Sequence, residues 1–244
     1  MTPAPALGRV AWRYPAPLIP GRLIRRYQRF LADVELADGR VVVAHCPNSG
    51  SMLGCQEAGA AVYLSHHPEP GRRTAYTWEM IRVAAGWVGV NTGPPNRLVA
   101  EAARQRALPP FSDATGVRPE VRTGPHTRLD LLVERQRGPL YVEVKNVTLV
   151  QGDLALFPDA VTARGAKHLD ELMALAGRGL GAAMVYLVQH PAAKALAPAR
   201  EIDPHYARRL AAALAAGVQA WVVQAAVSPE LIRLERLLPL TLNV

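Results

Sequence analysis

The spacing of turn residues divides the 244-residue chain into two parts with different secondary-structure patterns. Residues 1–90 contain short apolar runs of alternating polarity separated by Gly- and Pro-rich turns, as in RFLADVELADGRVVVAHCP. In residues 91–244, apolar runs alternate with longer segments of helical periodicity such as NRLVAEAARQRA. Short strands separated by turns are typical of a small barrel or sandwich, whereas strand–helix alternation is typical of an α/β layer. We therefore predict an α+β protein of two domains that meet near residue 90.

The charge of the chain favours a polyanionic partner. The formal net charge is +8 and the pI is about 10.0, which is typical of proteins that bind nucleic acid. A basic surface without such a partner is the alternative. No apolar run reaches the roughly 18 residues that a membrane-spanning helix needs, and the Pro-rich N-terminal segment lacks the features of a signal peptide. We expect a cytoplasmic protein that has no membrane partner.

The two cysteines, Cys46 and Cys55, are too few for a disulfide scaffold. His45, His66 and His67 are near them in the sequence, but the spacing matches no common zinc pattern. We expect reduced cysteines with packing roles.

Charged residues interrupt two apolar strands in the segment RLDLLVERQRGPLYVEVKNVTL, which has the pattern of a hairpin. Asp130 lies in the first strand, and Glu143 and Lys145 lie in the second. Because side chains alternate across a strand, Glu143 and Lys145 share one face while Val142 and Val144 face the core. Burial of charges is costly unless they are paired or bind a metal. The hairpin therefore predicts either a functional site or a solvated salt bridge on an edge strand.

Paired carboxylates supply the hard oxygen ligands that Mg²⁺ or Mn²⁺ prefers, and Asp130 and Glu143 are the candidate ligands. Such a metal polarises a phosphate and lowers the pKa of a bound water, while Lys145 would orient or deprotonate that water or stabilise charge on the phosphate. Asp followed about a dozen residues later by Glu-x-Lys resembles the PD-(D/E)xK nuclease superfamily, although no Pro precedes Asp130. Such sites often take a further acidic ligand from the preceding helix, where Glu101 is the candidate.

Six segments in order resemble the sugar fermentation stimulation protein A family of bacteria: RYQRFLADVEL, HCPNSGSM, WVGVNTGPPNRL, RLD, YVEVKNVTL and FPDAVTARGAKHLDEL. The resemblance runs from about residue 15 to the C-terminus. It implies an N-terminal OB-type barrel followed by a PD-(D/E)xK-type domain. It also implies DNA binding and a regulatory role in sugar metabolism, with the same four site residues, Asp130, Glu143, Lys145 and Glu101. DNA binding is implied more firmly than cleavage, because nuclease folds also serve as binding modules.

Basic residues near the start of a predicted helix form one candidate nucleic-acid contact. Arg164, Lys167 and His168 lie in or near the first turn after FPDAVT. A phosphate bound at this end would explain them, since the N–H groups and the dipole of a helix N-terminus attract anions. The alternative is a helix capped by Asp159 or Thr162, with solvated basic side chains.

A second candidate contact combines arginines and an aromatic residue in the predicted barrel: Arg25, Arg26, Tyr27 and Arg29. OB barrels bind single strands by stacking bases on aromatic side chains beside a cationic groove. The alternative is that Tyr27 and Phe30 belong to the core and the arginines are solvated.

Three functions are consistent with these patterns. The first is a DNA-binding regulator with an Mg²⁺ or Mn²⁺ site that hydrolyses phosphodiester bonds. The others are a binding-only nucleic-acid module and an RNA-processing nuclease. The oligomeric state is left open, and a homodimer is one possibility.

Overall fold

The computed structural model describes residues 7–124 and 127–242. Its elements are numbered along the chain, beginning with a short lead-in strand, β1 (Ala11–Arg13). The six strands of the first domain are β2 (Ile19–Tyr27), β3 (Leu31–Leu36), β4 (Val41–His45), β5 (Ala61–His66), β6 (Tyr76–Val83) and β7 (Gly86–Gly89).

These six strands form a sheet of order β4-β3-β2-β5-β6-β7 that curls until its ends meet. Residues Ala44 and His45 of β4 pair in parallel with Tyr76 and Thr77 of β6, which closes a barrel of β2 to β6. The prediction of an all-β first domain is therefore confirmed, and the open choice between barrel and sandwich is resolved as a barrel.

Apolar side chains that alternate along the strands fill the barrel. The largest of them is Trp78, which is fully buried and donates its indole N–H to the carbonyl of Met80 at 3.0 Å. Cys46 and Cys55 are unbonded and buried in the same core, in agreement with the packing role expected for them.

The second domain begins with α1 (Gly93–Arg104) and contains two further helices, α2 (Ala163–Gly177) and α3 (Pro204–Ala215). Its strands are β8 (Ala114–Arg122), β9 (Arg128–Arg135), β10 (Leu140–Val147), β11 (Leu149–Gln151), β12 (Leu154–Phe157), β13 (Gly181–Val188), β14 (Ala195–Pro198), β15 (Gln219–Val227) and β16 (Leu231–Leu238). As predicted, it is an α/β domain.

A seven-stranded sheet of order β1-β16-β15-β13-β10-β9-β8 forms the centre of this domain. Its strands β10, β13 and β15 run parallel, which explains the continuous apolar sequence GAAMVYLV of β13, because helices cover parallel strands on both faces. Helix α1 packs on one face, and α2 and α3 pack on the other. Strands β11, β12 and β14 form a small separate sheet.

Residues 11–13, which we predicted to be part of the first domain with the rest of residues 1–90, pair with the second domain instead. Strand β1 pairs antiparallel with β16, where Ala11 is opposite Arg233 and Arg13 is opposite Leu231. The edge of an open sheet offers unpaired backbone groups, whereas a closed barrel offers few. The chain therefore starts in the second sheet, forms the barrel and returns to the second domain.

Among the described residues, no helix has the length and apolar character needed to cross a membrane.

Candidate active site between the two domains

A cavity of about 410 Å³ lies between the barrel and the second domain, and we call it the interdomain cavity. The second domain supplies the β9–β10 hairpin, the start of α1, the first turns of α2 and residues 157–162. The barrel supplies the β2–β3 turn and residues 48–50, which follow β4. Both predicted contact regions and the charged hairpin therefore border the same space.

Asp130 sits at the wall of the cavity with both carboxylate oxygens engaged. Its Oδ1 accepts a hydrogen bond from Asn96 Nδ2 at 2.7 Å, and its Oδ2 accepts one from the Val144 backbone N–H at 2.7 Å. Burial, followed by the nearby charge of Glu143, raises the pKa of Asp130 to about 6. The hydrogen bonds and the charge of Lys145 oppose this shift without cancelling it.

Glu143 is almost fully buried and uses only one of its carboxylate oxygens. Its Oε1 is 2.5 Å from Lys145 Nζ and is also in contact with His168 Nδ1. Its Oε2 is buried and has no hydrogen-bond partner among the described residues. Burial alone would raise the pKa of Glu143, but the hydrogen bond from His168 and the charge of Lys145 outweigh it, so the pKa is lowered. Glu143 is therefore an anion with one free oxygen.

Strand alternation places Lys145 beside Glu143, as the sequence predicts. The Lys145 side chain is 15% exposed, and its Nζ is 3.3 Å from His168 Nδ1. Val142 and Val144 face the opposite way and are buried in the core beneath α1.

Glu101, the predicted third acidic ligand, does not line the interdomain cavity, although it lines a second depression between β1, α1 and β8 together with Asp130. Its carboxylate pairs with Arg104 at 3.3 Å and accepts a hydrogen bond from Gln105 at 2.9 Å. The α1 residue that reaches Asp130 is Asn96. Five residues separate the two positions, which rotates Glu101 by about 140° around the helix from Asn96.

The basic residues of α2 take three different positions. His168 is buried against Glu143, so it supports the site and does not present a free surface to nucleic acid. Arg164 is exposed, lines the cavity and has its Nε 3.5 Å from His168 Nε2. Lys167 is exposed on the same helix, outside the lining of the cavity. Thr162 caps the helix by accepting a hydrogen bond from Gly165 N–H at 3.0 Å.

Asp159 does not cap α2 but ties the second domain to the barrel. Its Oδ2 accepts a hydrogen bond from Met52 N–H at 2.9 Å, and its carbonyl accepts one from the Ser51 hydroxyl. Gly50 lies so close that an added Cβ would stand 2.4 Å from the Asp159 carboxylate oxygens. The HCPNSGSM segment therefore contacts the second domain.

Arg26 fixes the shape of the barrel loops. Its guanidinium donates to the carbonyls of Arg29 at 2.8 Å, Gly50 at 2.9 Å, Asn48 at 3.0 Å and Ser51 at 3.3 Å. These bonds use most of the N–H donors of Arg26. Arg26 therefore has a structural role and is not available to contact a phosphate.

The other predicted barrel residues are available at the surface. Arg25 is 2.8 Å from Asp33, and its guanidinium lies over the Tyr27 ring at 4.9 Å from the centroid. Phe30 is 44% exposed, so it does not belong to the core. Arg29 has a positive φ of 64° and lines the interdomain cavity opposite the carboxylates.

A second, larger depression lies on the other side of Asp130, and we call it the outer groove. It has a volume of about 880 Å³ and runs between β1, α1 and β8. Asn96 and Asp130 line both the outer groove and the interdomain cavity. Asp130 can therefore be reached from two sides. The outer groove has a lining of mixed charge, with Arg97 and Arg104 beside Glu101, Glu120 and Asp130.

Asn96 and Asp159 are the main site residues that we did not predict. The NTGPPN sequence offered one signal for Asn96, because a polar residue just inside a Pro-initiated amphipathic helix can face a neighbouring strand.

The residues present fit a divalent metal. The free Glu143 Oε2 and the carboxylate of Asp130 are hard oxygen donors, and the two residues line one cavity. Within residues 7–124 and 127–242, no three His, Cys, Asp or Glu side chains gather closely enough to hold a metal. A metal would therefore take its remaining ligands from water or substrate, as Mg²⁺ commonly does.

The raised pKa of Asp130 predicts that the metal-free Asp130→Asn variant gains stability relative to the wild type as the pH rises. Because the folded-state pKa of about 6 exceeds the ordinary value of 3.8, ionisation of Asp130 opposes folding. This penalty is complete above pH 6 and absent below pH 3.8. In EDTA, we expect the stability of the variant relative to the wild type to rise by about 2 kcal/mol between pH 4 and pH 8. The amide also replaces one acceptor oxygen facing Asn96 or the Val144 N–H, a loss that is the same at both pH values.

Urea unfolding of both proteins at the two pH values measures this difference. Asp153→Asn serves as the control, because Asp153 is an exposed carboxylate that does not line the interdomain cavity. An equal difference at both pH values would show that the effect does not come from ionisation.

Fold and site together define a class: an OB barrel followed by an α/β domain that carries Asp and Glu-x-Lys on neighbouring strands. Residues 24–90 match the model of the SfsA N-terminal OB domain, and residues 93–231 match that of the sugar fermentation stimulation protein RE domain. The chain belongs to the sugar fermentation stimulation protein family.

Individual relatives agree with this assignment. The sugar fermentation stimulation protein homolog of Geobacter metallireducens is 53% identical over 231 residues, which covers 94% of this chain and 100% of the relative. The homolog of Geobacter sulfurreducens is 54% identical over 225 residues, or 92% and 97% of the two chains. The solved structure of Pyrococcus furiosus SfsA in complex with Ca²⁺ is similar with a TM-score of 0.87 and 26% identity, covering 94% of this chain and 98% of the other.

Proposed function

We propose that this chain binds DNA and hydrolyses phosphodiester bonds at the interdomain cavity with Mg²⁺ or Mn²⁺. The observation that carries the proposal is the free, buried Oε2 of the ionised Glu143, a residue that lines the same cavity as Asp130 and Lys145. A carboxylate oxygen left without a donor in a protein interior is costly, and a bound cation would remove that cost. The Ca²⁺ in the Pyrococcus furiosus structure supports a hard-cation site in this fold, since Ca²⁺ and Mg²⁺ both prefer oxygen ligands.

The charge distribution supports a nucleic-acid substrate. The net charge of +8 favours a polyanion, and Arg29 and Arg164 enter the cavity from opposite domains. Arg97 and Arg104 add basic groups to the outer groove, whose lining also contains acidic residues. DNA binding at this surface would also suit a family that is named for an effect on sugar fermentation.

Each site residue has a separate task in this proposal. Asp130 and the free Oε2 of Glu143 hold the metal, which supplies Lewis-acid polarisation of the phosphate and a more acidic bound water. His168 and Lys145 occupy Oε1 of Glu143 and so leave Oε2 for the metal. The Lys145 ammonium orients the attacking water or stabilises negative charge on the phosphate. Asn96 holds the Asp130 carboxylate at the cavity wall.

A cleavage assay on the full chain tests the proposal. Labelled single-stranded DNA, duplex DNA and RNA are each incubated with Mg²⁺, Mn²⁺ or EDTA. We expect cleavage of DNA in the metals and none in EDTA. Binding measured in EDTA should weaken steeply with added salt, because phosphate contacts release counterions.

Two results would change the function assigned. Cleavage of RNA but not DNA would make the chain an RNA nuclease with the same site. Binding without cleavage of any polymer in either metal would leave a binding-only module and overturn the catalytic part of the proposal.

A further inference from the structure

A third cavity, separate from the Asp130 site, lies where the barrel, the lead-in and the start of α1 meet. Its volume is about 310 Å³, which is within the range of small-molecule sites, roughly 300–1,000 Å³. We call it the Glu79 pocket after the buried carboxylate in its wall. The proposed catalytic chemistry uses none of the groups described below.

Glu79 belongs to a hydrogen-bonded network that leaves part of its acceptor capacity free. The residue is 3% exposed, and its Oε1 accepts from the Ser65 hydroxyl at 2.6 Å while its Oε2 accepts from Asn91 Nδ2 at 2.7 Å. The Ser65 hydroxyl is in turn 2.9 Å from His67 Nε2. A carboxylate has about four acceptor positions, so one remains on each oxygen. The pair suits a ligand edge with two parallel N–H donors.

Tyr14 brings a second polar group to the same pocket. The residue is 9% exposed, and its hydroxyl is buried with no hydrogen-bond partner in the described parts of the chain. Trp12 packs against it with ring centroids 4.5 Å apart, and both rings line the pocket. Aromatic walls with unsatisfied polar groups favour a planar, polar ligand, because a flat ring covers the aromatic surface while its edge supplies hydrogen bonds.

Two arginines at the pocket favour a ligand with negative charge. Arg72 and Arg97 are both exposed and both line the pocket. They would repel a free guanidinium, which also presents paired N–H donors. They would attract a phosphate attached to a planar base.

We propose that the Glu79 pocket binds the guanine base of a nucleotide. The N1–H and N2–H of guanine donate to the two oxygens of Glu79, and the Tyr14 hydroxyl bonds a remaining polar atom of the base. Arg72 and Arg97 contact the phosphate. Adenine presents an unprotonated N1 to the carboxylate and is therefore disfavoured.

The guanine can come from a free nucleotide or from a nucleic-acid strand. The outer groove, which reaches Asp130, shares Trp12 and Arg97 with the Glu79 pocket. A strand in the groove could therefore insert a guanine into the pocket. The inference goes beyond the proposed function and does not require a metal.

Calorimetric titration of the full chain in EDTA tests this inference. The probes are GMP, IMP, AMP and a short single-stranded oligo(dT) with or without one dG. We expect GMP, the dG oligonucleotide or both to bind at least about 10-fold more tightly than AMP or plain oligo(dT). IMP, which lacks the N2 amine, should bind about 5- to 10-fold more weakly than GMP. If only GMP shows the preference, the guanine comes from a free nucleotide. If only the dG oligonucleotide shows it, the guanine comes from a nucleic-acid strand.

Three variants connect the affinity to the pocket. Glu79→Gln should weaken the guanine probe at least about 10-fold, and Tyr14→Phe should weaken it a few fold. Glu57→Gln changes an exposed carboxylate elsewhere on the barrel and should leave the affinity unchanged. If Glu79→Gln does not fold, Tyr14→Phe still removes a single pocket hydroxyl.

The inference is overturned if no probe shows a guanine preference, or if both pocket variants bind as the wild type does. Free arginine is titrated as a further probe, and tighter binding of arginine than of GMP would also overturn the inference. Because the titration contains EDTA and measures no cleavage, a catalytically inactive site would not affect its result.

Discussion

Replacing Lys145 with methionine should lower the rate of metal-dependent cleavage by about 10²–10³-fold, the usual loss when one charge-stabilising group is removed. The Lys145 Nζ lies 2.5 Å from Glu143 Oε1 and borders the cavity in which the phosphate would bind. Methionine keeps most of the stem and removes the ammonium, with both its charge and its hydrogen bond to Glu143. Single-turnover cleavage of the preferred polymer under saturating metal measures the chemical step and excludes effects on product release.

Lys194→Met provides the matched control. Lys194 is 74% exposed and pairs with Asp153 at 3.2 Å, outside the cavity. This variant should cleave at the wild-type rate. If Lys145→Met also cleaved at that rate, Lys145 would have no catalytic role and the proposed site would be wrong.

Lys167→Met should weaken binding slightly if Lys167 contacts the backbone of the polymer, and should leave the chemical step intact.

Replacing Arg26 with methionine should lower the free energy of unfolding of the barrel by about 2–3 kcal/mol. The guanidinium donates to four loop carbonyls, which would lose a charged donor together. The loops that border the interdomain cavity would lose their fixed shape as well. Urea unfolding followed by near-ultraviolet circular dichroism, which reports the packing of aromatic residues, measures the change.

The adjacent Arg25→Met is the comparison for this result. Arg25 is 67% exposed and bonds Asp33 on the surface, so its loss should barely move the unfolding midpoint. Arg25→Met should instead weaken nucleic-acid binding if the barrel surface contributes to it. An Arg26 variant as stable as the Arg25 variant would contradict the structural role and restore Arg26 as a candidate phosphate contact.

The sequence predicted the architecture because its signals are local. Turn residues and strand alternation indicate a barrel, and alternating strands and helices indicate an α/β domain. The pairing of β1 with β16 could not be predicted, because the edge that accepts β1 is formed by residues near the other end of the chain.

The site residues also divide into those that local sequence patterns place and those that only the tertiary packing places. Alternation within one strand placed Glu143 and Lys145 together. The choice of Asn96 over Glu101 depends on how α1 is rotated against the sheet, which its amphipathic pattern fixes only coarsely. A register shift in β2 between Leu23 and Arg25 breaks the simple alternation of side chains along the strand. The sequence therefore does not show which of the adjacent residues Arg25 and Arg26 faces the barrel loops and which is exposed.

The path of the chain through the two domains limits how the cavity can open. The barrel is an insertion: β1 anchors its entry in the second sheet, and Gly89–Gly93 is its exit into α1. Two covalent connections restrict its motion relative to the second domain more than a single tether would. Non-covalent contacts join the two domains as well: Asp159 bonds Ser51 and Met52, Cys55 Sγ bonds the Thr148 carbonyl, and Gln189 bonds Gly89. The walls of the interdomain cavity are therefore held by covalent and non-covalent ties together, and a ligand would meet a largely preformed site.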